Sequence, residues 1–179
     1  MSFRLRASPF DDCLKNKQKL VGVEVGVFEG GHAIAMLINL DIKQLFLIDP
    51  YKSYPNFFGG YNEKGQELLD VSFNKAMIEL AKRGFTDKVF WKIDESLNVV
   101  NDFEDESLDF VYLDGNHDYN VVSKEIPAWE KKVKIGGLVG GHDYTHKKPG
   151  VPKAVNEYVK ENNIKLEVVK TDWFYWRTK

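Results

Sequence analysis

Apolar and polar positions along the chain alternate between two patterns: short, dense apolar runs, and longer stretches whose apolar residues return at helical spacing. The first run, Val21-Gly22-Val23-Glu24-Val25-Gly26, has valine at alternate positions and suits a buried parallel strand. Its acidic residue and the glycines at 26, 30 and 31 predict a sharp turn into a helix over Ala33 to Leu40. Leu45 to Ile48 reads as a second strand ending in Asp49. Lys64 to Arg83 carries Leu68, Leu69, Val71, Phe73, Met77, Ile78 and Leu80 at mostly helical spacing, with Gly84 placed to stop it. Then follow a strand at Val89 to Trp91, a helix at Ser96 to Asn101, a strand at Leu108 to Leu113, a helix at Val121 to Lys132 and a strand at Leu138 to Gly141. Pro152 can open the next helix, which reaches Asn162 or Asn163.

This alternation predicts an α/β domain with a mostly parallel sheet covered on both faces. The ending breaks it. Ile164 to Val169 and Trp173 to Trp176 are strand-like and separated only by Lys170, Thr171 and Asp172, too short for a parallel crossover, so an antiparallel hairpin is expected. Segment 51–65, rich in aromatics and glycine, is the one long irregular loop, read as a lid or as a packed structural loop. A length of 179 residues suits a single domain over 1–179, so specificity must come from loops.

Charge narrows the partners. Lys and Arg number 25 against 27 acidic residues, a formal charge of −2, which argues against nucleic acid or an anionic membrane as partner. The single cysteine, Cys13, excludes an intrachain disulfide, the stretch from Met1 to Arg6 lacks the apolar core of a signal peptide, and no run approaches membrane-spanning length. A soluble, reduced, cytoplasmic protein is expected, and a homo-oligomer is compatible with the sequence.

The candidate chemistry lies at strand ends. Glu24 with its glycine turn, and Asp49 at the end of the next strand, sit where open α/β sheets hold a nucleotide and accept hydrogen bonds from ribose hydroxyls, which points to an adenosine-containing cofactor. Asp114 ends the fourth strand, His117 follows it, and His142 and Asp143 follow the fifth. All four emerge at the sheet's carboxyl edge, a grouping suited to a divalent cation and a general base. A nicotinamide-dependent reductase would use Gly26 and Asp49 equally well, but its usual turn is Gly-x-Gly-x-x-Gly and the terminal hairpin is unusual for it. A non-catalytic binding module is the third reading.

The parallel sheet closed by a hairpin resembles the class I S-adenosylmethionine-dependent methyltransferases. Glu24-Val-Gly26-Val-Phe-Glu-Gly30-Gly31, Asp49-Pro50-Tyr51, Asp114-Gly-Asn-His117 and Gly141-His142-Asp143-Tyr144 narrow the resemblance to the group of macrocin and mycinamicin sugar O-methyltransferases and cephalosporin-hydroxylase-like enzymes. Phe28 stands where the broad family has its middle glycine, and His142 where several relatives carry a carboxylate. The resemblance implies a three-layer, Rossmann-like fold with a seven-stranded sheet and an antiparallel C-terminal hairpin. It implies S-adenosylmethionine as cofactor, with Glu24 facing the amino-acid portion, Gly26 and Gly30 allowing close approach, Asp49 on the ribose, and Asp94 and Ser96 at the adenine edge; Asp114 also borders the cofactor. Asp94 reads equally well as a helix cap. Further implied are Mg2+ or another divalent cation on Asp114 and Asp143, with His142 as a lesser ligand, a strand cap or a residue orienting Asp143. His117 takes the place of the general base, and the acceptor is a hydroxylated small molecule such as a sugar or a glycosylated product.

Overall fold

A computed structural model describes residues 3–54 and 62–179. Seven strands form one sheet: β1 (Leu20–Val25), β2 (Ile42–Ile48), β3 (Val89–Lys92), β4 (Leu108–Leu113), β5 (Val133–Gly141), β6 (Glu167–Val169) and β7 (Asp172–Trp176). Their spatial order is β3-β2-β1-β4-β5-β7-β6. The first five run parallel, while β7 pairs antiparallel with both β5 and β6, as the hairpin pattern predicts. The helices are α1 (Pro9–Asp12), α2 (Gly31–Asn39), α3 (Glu63–Lys82), α4 (Ser96–Val99), continued by a short 3-10 turn, α5 (Tyr119–Glu130) and α6 (Gly150–Glu161). None of the helices described is long and apolar enough to cross a membrane.

Both faces of the sheet are covered because its central strands are apolar at consecutive positions. In β4, Phe110 and Tyr112 point into one core with Phe10 of α1 and Ile34 and Met36 of α2. Val111 and Leu113 point into the other, with Val122, Ile126 and Trp129 of α5 and Val155 of α6. Trp173 and Tyr175 of β7 complete that second core at 1% exposure each, so the hairpin is part of the domain's interior.

Two elements depart most from the sequence pattern, while β2 begins at Ile42 rather than Leu45 and β6 at Glu167 rather than Ile164. The short helix α1 is capped by Ser8, whose hydroxyl accepts from the Phe10 amide while Asp11 accepts from the Ser8 amide. Strand β5 begins at Val133 rather than Leu138. Gly136, at φ 80°, lets the chain bulge without leaving the sheet, and the register with β4 shifts there. Of the irregular segment read as a lid or a packed loop, 55–61 lies outside the described residues.

Candidate functional site

The carboxyl edge of β1, β2, β4 and β5 opens into a cavity of about 1130 Å³. Most small-ligand pockets hold roughly 300–1,000 Å³, so this one has room for a cofactor and a second molecule. Among its walls are Glu24, Gly26, Asp49, Ser96, Asp114, His117, His142 and Asp143, brought together from loops far apart in sequence.

The turn after β1 is held tightly. Gly26 has φ 84°, and a Cβ there would sit 2.2 Å from the Asp114 carbonyl oxygen, so the β1 and β4 loops meet only because this residue has no side chain. Asp49 fixes the rest: its Oδ2 accepts from the Val27 and Phe28 amides at 2.9 and 3.0 Å, and its Oδ1 from the Tyr51 amide at 2.8 Å. Phe28, in the family's glycine position, keeps the glycine-like conformation at φ 50°; Tyr51 and Asp143 have φ of 45° and 57°. Left-handed backbone at non-glycine residues is costly, and Phe28 and Asp143 adopt it on the cavity wall.

Glu24 is buried on β1 beside His32 of α2. His32 Nδ1 lies 2.9 Å from Glu24 Oε1, and its Nε2 lies 3.1 Å from Asp11 Oδ1. With a carboxylate at each nitrogen the imidazole carries both protons. Burial works against that charge, but the hydrogen bonds to Asp11 and Glu24 prevail and raise the pKa to about 9. The other oxygen, Glu24 Oε2, is buried without a hydrogen-bond partner. It borders the cavity and calls for a donor that a ligand can bring.

Beyond β1 lies a cluster of charges. Asp143 Oδ2 is 2.6 Å from His117 Nε2, and Asp143 Oδ1 is 3.3 Å from His142 Nδ1. Partial burial disfavours the Asp143 charge, yet hydrogen bonds from His117 and His142 outweigh it and hold the carboxyl well below the usual carboxylate range. Asp114 Oδ2 is 2.6 Å from the Arg6 guanidinium, and Asp114 Oδ1 is 3.7 Å from His142 Nδ1. Burial raises the Asp114 pKa, against the pull of Arg6 and His142. His142 Nε2 meets Thr171 Oγ1 at 2.8 Å. Ligand atoms of Asp114, His117 and Asp143 all lie within 4.8 Å of one another, so the trio that suits a metal contains His117, with His142 beside it rather than at its centre.

Two expected residues stand elsewhere. Asp94 is exposed and absent from the cavity wall; it precedes Glu95, the N-cap of α4, and its carboxylate accepts from the Glu95 amide and the Asn98 side chain. Gly30 is also off the wall: it opens α2 at φ 78° and packs against Ala76 of α3. Ser96 does line the cavity, with its hydroxyl given to Glu125.

Four site residues carried no sequence assignment: Arg6, Asp11, His32 and Glu125. A signal existed for Glu125, which takes its place among Val122, Ile126 and Trp129 on the buried stripe of α5. His32 likewise sits in a helix whose other early residues are Ala33, Ile34, Ala35 and Met36, all buried. Arg6 and Asp11 reach the site by long-range packing, for which local pattern holds no sign.

Residues 23–144 match a family described as a methyltransferase domain. An uncharacterized protein of Acanthamoeba polyphaga mimivirus, R132, is 28% identical over 162 residues, covering 86% of this chain and 68% of the relative. Among solved structures, the O-methyltransferase TomG of Streptomyces achromogenes, involved in tomaymycin synthesis and solved in complex with S-adenosylmethionine, superposes with a TM-score of 0.71. It is 13% identical, with 98% of this chain and 82% of TomG covered. The O-methyltransferase NovP gives a TM-score of 0.66 at 19% identity, with 95% and 78% covered. The family match sets aside the nicotinamide-dependent reductase. With the strand order, the antiparallel seventh strand and the glycine turn at the cavity, it makes the chain a member of the methyltransferase-domain family, with the class I S-adenosylmethionine-dependent methyltransferase fold.

Proposed function

We propose that this protein is an S-adenosylmethionine-dependent O-methyltransferase acting, with a divalent cation, on a hydroxyl of a small molecule such as a sugar or a glycosylated product. The observation that carries the reading is the pair of His117 and Asp143, 2.6 Å apart, on a cavity that the Glu24 to Gly31 turn also lines.

The residues present fit the cofactor. The unpartnered Glu24 Oε2 matches an ammonium group, Gly26 leaves room for close backbone approach, and Asp49 stands at the ribose position. When bound, S-adenosylmethionine supplies a methyl group on a sulfonium, whose departure as a neutral thioether needs no acid. The protein's work is to position the acceptor hydroxyl and remove its proton. Asp143 at Nε2 of His117 holds a proton on that nitrogen and leaves Nδ1 to accept the hydroxyl proton, while Asp143 stabilises the imidazolium that results.

Asp114 and Asp143, with His142 beside them, also fit a divalent cation, which would make a coordinated hydroxyl more acidic. Arg6 already pairs with Asp114, so a cation held there would compete with the guanidinium.

The test is His117→Ala in two assays. Loss of a positioned base slows single-turnover methyl transfer by roughly 10²–10⁴-fold while cofactor affinity measured by calorimetry holds. Near-native transfer would return His117 to a structural role.

A further inference from the structure

One carboxyl on the cavity wall has no part in the proton transfer described above. Glu125, on α5, is 4% exposed, with the core residues Val122 and Ile126 on its own helix. Ser96 at the first position of α4 donates its hydroxyl to Glu125 Oε1, the one hydrogen bond this side chain makes among the described residues. No lysine or arginine pairs with it there. Burial pushes the carboxyl up to about 7, against the Ser96 hydrogen bond and the neighbouring His117 ring. Burying a carboxyl with a single hydrogen bond costs free energy, and an apolar residue would fill the same stripe at no such cost.

The surroundings indicate what it meets. Leu97 follows Ser96, Val121 lies one helical turn before Glu125, and Ile48 precedes Asp49; all three line the cavity. They supply apolar wall beside the Ser96 and Glu125 pair, while Glu95, Asn116 and His117 line the cavity as well. The pair bridges α4, which follows β3, and α5, which follows β4. Apolar walls with one hydrogen-bond acceptor suit a flat heteroaromatic ring that carries an amine.

We infer that Glu125 is a specificity-determining residue that accepts a hydrogen bond from the exocyclic amine of the cofactor's purine ring. The inference rests on the proposed binding of S-adenosylmethionine, and it assigns the base-reading contact to α5 rather than to the segment after β3. Ser96 then acts as a positioning residue, holding the carboxyl toward the cavity.

Calorimetry with S-adenosylhomocysteine and its deaminated analogue S-inosylhomocysteine, which replaces the amine by a carbonyl, tests this. The wild type should prefer the adenine compound about tenfold or more, the size of a lost hydrogen bond plus a misplaced carbonyl. Glu125→Met should bring the two affinities within about twofold, chiefly by weakening the adenine compound. Ser96→Ala, which removes the tie between α4 and α5 but keeps the carboxyl, should retain most of the preference. If Glu125→Met does not fold, Glu125→Gln replaces it: its amide can donate to the carbonyl of the analogue, and the preference again falls. Equal weakening of both compounds in Glu125→Met would make the residue a structural tie only and overturn the inference, as would a wild type that binds both alike. A wild type that binds neither compound overturns the proposed cofactor as well, so the two failures are told apart.

Discussion

Asp49 shows how one side chain serves folding and binding together. Three backbone amides converge on its carboxylate, and they belong to the two loops that frame the cofactor cavity. Asp49→Ala should weaken S-adenosylhomocysteine binding by about 1–3 kcal/mol and also lower stability, because amides left unpaired cost about 1–3 kcal/mol each. Calorimetry alongside urea denaturation separates the effects; unchanged values in both would remove the assignment. At Asp114, Arg6 competes with any cation, so Arg6→Ala should tighten Mg2+ or Mn2+ binding in calorimetry, and exhaustive chelation should depress methyl transfer. Activity undiminished by chelation would end the metal proposal while leaving the methyltransferase family intact. At this scale the sequence was legible where chemistry coincides with a strand end: Glu24, Asp49, Asp114, His117, His142 and Asp143 all follow an apolar run and all line the cavity. At Asp94 the sequence allowed both a helix cap and an adenine contact, and the carboxylate accepts from its neighbours Glu95 and Asn98. The sequence was silent at Arg6, whose place depends on where a distant segment folds back.

Among the elements, β1, α2 and the loop after β4 form one mechanical unit. Gly26→Ala would drive a Cβ into the Asp114 carbonyl in a backbone conformation that alanine resists, and the backbone cannot yield without separating the two loops. A loss of more than about 2 kcal/mol in unfolding free energy is expected, read from denaturant midpoints. The same unit holds His32 between Asp11 and Glu24, with the Tyr112 ring 4.2 Å away. A histidine titrates near 6.5 in an unfolded chain, and here its pKa is raised to about 9. Its charge therefore stabilises the fold fully below about pH 6.5, and that contribution is lost as pH rises through about 9. The urea midpoint of the wild type should fall more steeply between those values than that of His32→Gln; parallel profiles would contradict the charged triad. Element types were readable because strand and helix periods differ, whereas boundaries failed where glycine made them ambiguous. The stretch before Leu138 reads as a turn at Gly136 and Gly137, yet the chain stays in the sheet through a bulge.

Across the whole molecule, the fold closes on its last strand. β7 lies between β5 and β6, and Trp173 is 1% exposed against helices laid down much earlier in the chain. Trp173→Ala should cost about 3–5 kcal/mol, enough to unfold a marginal domain, and a guanidinium titration measures it. The pairing of β7 with β5 rather than at the sheet's edge is a three-dimensional fact that hairpin spacing alone does not contain. A related consequence concerns biosynthesis. The Ser8 hydroxyl donates to Asp172, 164 positions later, and the Tyr112 hydroxyl donates to the same carboxylate at 2.6 Å. Arg4 to Ala7, just before Ser8, form part of the cavity wall. Residues that leave the ribosome early thus gain this last anchor only when β7 emerges, so the wall formed by Arg4 to Ala7 is fully braced only after translation has passed Asp172.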